Sequence, residues 1–187
     1  MGQKSPIHAF WAEMSACEHF AHLYENEASF LDILAEYTDE GLSHGHAIVI
    51  IATPEHHVGL SKRLISYGVD IAETQSQGRL FYVDAETTLT KFMVAGHPDE
   101  GLFNHTISEI LEQAGAGGRS LRVFGEMVAL MWANGHCAAA LKLEQFWDTL
   151  CRNKSFSLFC AYPKPIFTTN APESLAHIRA LHSSVLD

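Results

Sequence analysis

Two rhythms of apolar residues alternate along this chain. Short runs at Phe20–Tyr24, Ala47–Ala52, Arg79–Asp84, Leu121–Phe124 and Phe156–Ala161 have the length and the β-branched or aromatic content of buried strands. Ala47-Ile-Val-Ile-Ile-Ala52 is apolar at every position, the mark of a central parallel strand covered on both faces. Between these runs the spacing changes to three and four. Phe30, Leu34 and Tyr37 predict a helix over about 28–41. Leu60, Leu64 and Tyr67 predict a second, opened by Thr53 as N-cap with Pro54 in its first turn and closed at Gly68. A third runs through Leu89, Phe92 and Met93, and a fourth, capped by Asp99, carries Leu102, Phe103, Ile107, Ile110 and Leu111. Leu143, Phe146, Trp147 and Leu150 mark a fifth over about 134–152, and Leu175, Ile178, Leu181 and Val185 a last one over 172–186. Strand and helix alternate throughout. The pattern predicts an α/β fold, with a mostly parallel central sheet and helices on both faces.

Composition narrows the class. A chain of 187 residues with 47% hydrophobic and 18% charged residues is globular and large enough for one domain with a real core. A net charge of -10 repels phosphate backbones, so direct nucleic-acid binding is not expected. No apolar run is long enough for a membrane span, and the first residues lack a signal pattern. Cys17, Cys137, Cys151 and Cys160 are widely spaced, which predicts reduced thiols and a cytoplasmic protein. Residues 1–17 are expected to be an N-terminal arm and 165–187 a C-terminal extension. The extension carries the last helix, whose removal after Phe167 should leave the body folded.

The candidate chemistry begins at Glu126. It follows the strand run and Gly125 directly and precedes Met127–Trp132, which is uncharged. A carboxylate between two buried segments needs a partner or a ligand. In open α/β sheets ligands sit outside the carboxyl ends of the strands. Tyr24, Thr53 with His56, Asp84, Glu126, and Cys160 with Tyr162 all fall at such ends and are expected to converge on one cleft. Each also has a plainer reading. Glu126 can brace a neighbouring backbone, Thr53 and Asp84 can cap helices, His56 can be solvated, and Cys160 can be a small buried hydrophobe.

Twelve histidines raise the question of a metal. His56 and His57 are adjacent, so on a helix they point about 100° apart. There is no His-x-x-x-His on a convincing helix and no cysteine cluster. A ligand set of His19, His56, Glu126 and Cys160 is chemically conceivable, but no metal and no cofactor are expected.

A series of short blocks resembles the MEDS family, the DcmR-like sensory domains named for methanogens and methylotrophs. The blocks are His19 with Tyr24-Glu25, Glu40-Gly-Leu-Ser-His-Gly45, Ala52-Thr-Pro-Glu-His56, Tyr67-Gly-Val-Asp70, Gly78-Arg-Leu80, Asp84-Ala-Glu86, Phe92-Met-Val94, Gly125-Glu-Met-Val128, Leu143-Glu144 with Trp147, and Cys160-Ala-Tyr-Pro163. They span residues 18–164 in order. The resemblance implies a sensory, non-catalytic relative of RecA/KaiC-like ATPases that binds small hydrocarbon-derived ligands. It also implies a signalling partner such as a histidine kinase or an anti-sigma regulator, acting in transcription regulation. The residues agree that a phosphate-binding loop is missing. Such a loop needs Gly-x-x-x-x-Gly-Lys-Ser/Thr after the first strand, and Tyr24-Glu-Asn-Glu-Ala-Ser-Phe30 offers no glycine, no lysine and two carboxylates.

The function expected is therefore a non-catalytic sensory module. It would bind a small molecule through Tyr24, Thr53, His56, Asp84, Glu126, Cys160 and Tyr162 and relay to a partner protein. Two alternatives remain. One is a small enzyme with Glu126 and His56 as acid and base. The other is a pure interaction or oligomerisation module, a homodimer included, built on the last helix.

Overall fold

The computed structural model describes Trp11, Met14, residues 17–165 and residues 172–186. Most of the expected N-terminal arm, 1–17, lies outside the described residues. Strands β1 (His19–Tyr24), β2 (Ala47–Ala52), β3 (Leu80–Asp84), β6 (Leu121–Gly125), β7 (Ser157–Pro163) and β8 (Ser184–Leu186) form one sheet in the order β3-β2-β6-β7-β1-β8. Every pairing in it is parallel. β4 (Met93–Val94) and β5 (His97–Pro98) form a separate antiparallel hairpin.

The helices cover both faces, as the uninterrupted apolar run of β2 requires. On one face lie α1 (Glu27–Ser43), α2 (Pro54–Ser66) and the short α3 (Ile71–Ser76). Phe30, Leu34 and Tyr37 of α1 and Leu60 and Leu64 of α2 pack there on Ile48, Ile50, Phe124 and Phe159. On the other face lie α5 (Glu100–Ala114), α6 (Met127–Ala133), α7 (Cys137–Lys154) and α8 (Pro172–Leu181). Phe103, Ile107, Met127, Trp147 and Ile178 pack there on Val49, Val123 and Leu158. α4 (Ala85–Thr90) directly follows β3.

A cationic side chain lies inside this core. Arg122 alternates with Val123 onto the α1 face and is 1% exposed. Its guanidinium donates to the Trp11 carbonyl at 2.7 Å, the Tyr37 carbonyl at 3.2 Å and His46 Nδ1 at 3.1 Å. Room for it comes from Gly41. A Cβ there would sit 2.5 Å from Ile48 Cδ1 and 2.8 Å from Arg122 Cδ, so any larger residue at that turn would have to displace both side chains.

Three elements differ from the sequence expectation, each for a local reason. The third helix ends at Thr90 and does not continue through Phe92 and Met93. Ala95 and Gly96 both take positive φ, 49° and 82°, the two-residue loop that a tight hairpin demands. α3, capped by the Asp70 carboxylate, was hidden in a polar stretch. The last helix stops at Leu181, and Ser184–Leu186 becomes an edge strand on β1. Ser183 makes the turn, its N–H donating to the His19 carbonyl while its Oγ accepts the His19 N–H. A three-residue tail with apolar Val185 and Leu186 satisfies a helical or a strand period equally, and pairing with β1 decided it.

Candidate functional site

Glu126 sits at the end of β6 and the start of α6 without capping that helix. Its backbone N–H donates to the Ile51 carbonyl, and its carboxylate turns toward the end of β2. Oε2 accepts the Thr53 N–H at 2.9 Å, and Oε1 lies 2.8 Å from His56 Nδ1. Thr53 has a second duty. Its hydroxyl accepts the His56 N–H at the N-terminus of α2, so the expected N-cap is present and places His56 beside the carboxylate. Both side chains are largely covered, with 8% of Glu126 and 14% of His56 exposed. The outer nitrogen of His56, Nε2, lies 3.9 Å from the exposed Glu27.

Aromatic rings wall the pair. Tyr24 stacks on Phe30 at 4.8 Å, and Phe30 meets the His56 ring edge-on at 5.1 Å. Burial opposes protonation of His56, but the Glu126 carboxylate, with Glu27 and Glu55 adding to it, outweighs burial and raises its pKa. Burial, together with the charges of Glu126 and Glu27, holds the Tyr24 hydroxyl well above its usual range, so it stays a neutral donor. His57 behaves oppositely to its neighbour. It stacks on Tyr82 and donates from Nε2 to the Ile50 carbonyl, and burial lowers its pKa.

The expected set does not stay together. Asp84 caps α4, its carboxylate accepting the Thr87 N–H at 2.7 Å, and those contacts with Thr87 depress its pKa. Cys160 and Tyr162 are two residues apart on β7 and so share one face. That face packs with α6 and α7, whereas Tyr24 and Phe30 belong to the α1 core on the other. Strand alternation therefore divides the candidates: Tyr24, Thr53, His56 and Glu126 form one site, and Cys160 and Tyr162 join another group.

That second group holds residues outside the expected site. Glu144, fully buried on α7, accepts the Tyr162 hydroxyl at 2.7 Å and lies 2.9 Å from His182 Nε2 and 3.7 Å from His19 Nε2. Cys160 Sγ is 3.5 Å from the same His19 nitrogen. Burial pushes the Cys160 thiol well up, so on its own it is no nucleophile. Glu144 was findable. It falls within the apolar face of α7 defined by Ala140, Leu143, Trp147 and Leu150, where a carboxylate requires buried partners. His182 carried no such signal, because only folding of the C-terminal segment brings it there.

A polar depression of about 420 Å³ also lies at the amino ends of β2 and β3, lined by Ser43, Asp70, Glu73 and Arg79 among others. It is at the opposite end of the sheet from Glu126.

The β1–α1 junction settles the relation to nucleotide-binding folds. Asn26 caps α1, its side chain accepting the Ser29 N–H at 2.9 Å, and Glu27 opens the first turn. The place of a phosphate cradle is thus filled by a polar cap and a carboxylate. Calorimetric titration with Mg-ATP should give no saturable heat at micromolar concentrations, and clear saturation would contradict this reading.

The family model for MEDS, the methanogen/methylotroph DcmR sensory domain, matches residues 18–183. The chain belongs to the MEDS family. Among solved structures, this MEDS domain is similar to a KaiC-like protein from the hyperthermophilic archaeon Pyrococcus horikoshii. The TM-score is 0.63 at 14% identity, over 91% of this chain and 71% of that one. At that identity the likeness establishes the fold: a RecA/KaiC-like α/β domain. No curated protein matches the MEDS chain in sequence. No helix among the described residues is long and apolar enough to cross a membrane.

Proposed function

We propose that this MEDS domain is a cytoplasmic, non-catalytic sensor that binds a small ligand at Glu126 and His56 and relays occupancy to a signalling partner. The 2.8 Å contact between these side chains, at the carboxyl ends of β6 and β2, carries the reading. A carboxylate paired with an imidazole, beside the aromatic rings of Tyr24 and Phe30, suits a small molecule with one hydroxyl or amino group and an apolar remainder. Such a ligand agrees with the hydrocarbon-derived compounds that family resemblance implies. The acidic surroundings, with Glu27 and Glu55 nearby, disfavour anions. The geometry also has a feature of acid/base enzymes, since Glu126 orients an imidazole whose Nε2 faces outward. Glu126 Oε2 is already engaged by the Thr53 N–H, however, and the Thr53 hydroxyl is committed to capping α2.

The test is a titration of short-chain alcohols and amines into the wild-type chain and into Glu126→Gln. Loss of the charge-assisted contact should weaken binding by about 1.5–3 kcal/mol. Binding that is unchanged in the variant would remove Glu126 from the site.

The same variant carries a pH signature. His56 has a folded pKa raised above its ordinary value of about 6.5. The stability it contributes is therefore complete below that value and is lost as pH rises through the folded pKa. Denaturation at a series of pH values should show wild type losing part of its advantage over Glu126→Gln on going alkaline. A gap between the two proteins that is independent of pH would show that the imidazole does not titrate against this carboxylate.

A further inference from the structure

The buried group on the α7 face lies across the sheet from the sensory site and has a chemistry of its own. His19 opens β1, Glu144 is on α7, Cys160 is on β7, and His182 follows α8. One donor atom from each lies within 4.8 Å of all the others, and all four residues are buried. We propose that His19, Glu144, Cys160 and His182 form a closed, four-ligand site for a divalent transition metal of the zinc class.

Tautomers and charge both support this. His182 Nδ1 lies 2.7 Å from the Ile178 carbonyl oxygen. A carbonyl can only accept, so Nδ1 carries a proton, and in the neutral ring Nε2 then presents a lone pair. That lone pair points among the other donors, 2.9 Å from Glu144 Oε1 but outside hydrogen-bond geometry. Two electron-rich atoms so close repel unless a cation lies between them. A proton on Nε2 would be badly aimed at the carboxylate, and the ring centroids of His182 and His19 are only 3.9 Å apart. His19 Nδ1 faces the Asp148 carboxylate at 3.8 Å, beyond hydrogen-bond distance, and Nε2 lies toward Cys160 and Glu144. Asp148 is itself held by Arg152 at 2.7 Å. A carboxylate behind a ligating imidazole is the usual outer support of a metal site. Glu144 Oε2 is buried without a hydrogen-bond partner, and Oε1 is steadied by the Tyr162 hydroxyl.

The donors select the metal. Two neutral imidazoles, one carboxylate and one thiolate balance a divalent cation, so the buried site closes without net charge. Thiolate disfavours magnesium and calcium, and the mixed nitrogen, sulfur and oxygen set suits zinc. Tetrahedral zinc bonds place neighbouring donors about 3.3–3.8 Å apart. The two His19 separations, 3.5 and 3.7 Å, already meet this, and the 2.9 Å contact would open around a bound ion. Four protein ligands leave no open position, so the site fastens β1, β7, α7 and the C-terminal segment together and performs no hydrolysis.

Cobalt reads the site directly. The full chain, stripped with chelator and titrated with Co2+, should bind one equivalent, with intense visible bands of tetrahedral cobalt and a near-ultraviolet thiolate charge-transfer band. Zinc should displace it and raise the melting temperature. Cys160→Ser should lose the charge-transfer band and bind at least tenfold more weakly, while Cys137→Ser and Glu126→Gln leave the spectrum unchanged. X-ray absorption of the zinc-loaded wild-type chain needs no variant and should show one sulfur and two imidazoles around the metal. A weak octahedral spectrum, a band that survives in Cys160→Ser, or a shell of nitrogen and oxygen alone would overturn the proposal.

Discussion

Removing residues 168–187 will strip the domain of most of its stability. The sequence pattern suggested the reverse, a detachable extension on a complete core. In the fold, Ile178 is fully buried on the α7 side, and β8 adds a sixth strand to the sheet beside Phe20, Ala21 and His22. Loss of the Ile178 side chain alone should cost about 2–5 kcal/mol in transfer and cavity terms. Loss of His182 also removes one of the four proposed metal ligands around the buried Glu144, so a bound ion no longer fastens the segment to β1, β7 and α7. These losses together approach the whole stability of an ordinary domain, about 5–15 kcal/mol. Thermal and urea melts of the truncated chain should show a broad or absent transition. A sharp transition within a few degrees of the full chain would place the segment outside the cooperative core.

Replacing Arg122 by Met will cost about 3–5 kcal/mol, although methionine fills similar volume and sits well in apolar surroundings. The guanidinium ties Trp11 to α1 and β6 through its bonds to the Trp11 and Tyr37 carbonyls, and it lies over the Tyr37 ring at 5.4 Å. A neutral side chain forfeits the charge-assisted bonds and takes the donor from a buried carbonyl. Arg122→Lys should fall between wild type and Arg122→Met, since one ammonium cannot reproduce the fork. Urea denaturation of the three proteins reads this order directly. Equal stability of wild type and Arg122→Met would mean that the buried charge brings no net benefit, as some buried polar groups do not.

Glu126 shows how far local pattern reaches. Its place between an apolar strand and an uncharged helix called for a partner, and the structure supplies Thr53 and His56, themselves readable as an N-cap and a first-turn residue. What could not be read was which candidates share a side of the sheet. Cys160 and Tyr162 lie at a strand end as Tyr24 does, but the phase of β7 turns them toward α7. The conceivable metal set of His19, His56, Glu126 and Cys160 divides in the same way, and each half finds a different partner group.

The sequence alone determined the alternation of strands and helices, the continuous burial of β2, the helix caps at Thr53, Asp84 and Asp99, and the missing phosphate loop. These depend on residues within a few positions of one another, where periodicity and capping chemistry act. Tertiary structure alone decided that Arg122 would be buried, that the tail would become a strand, and that His19, Glu144, Cys160 and His182 would meet. Those four lie in parts of the chain separated by up to 163 positions, as 182 − 19 shows. Their meeting follows from strand order and register, which arise from packing the whole sheet and leave no mark in any local stretch.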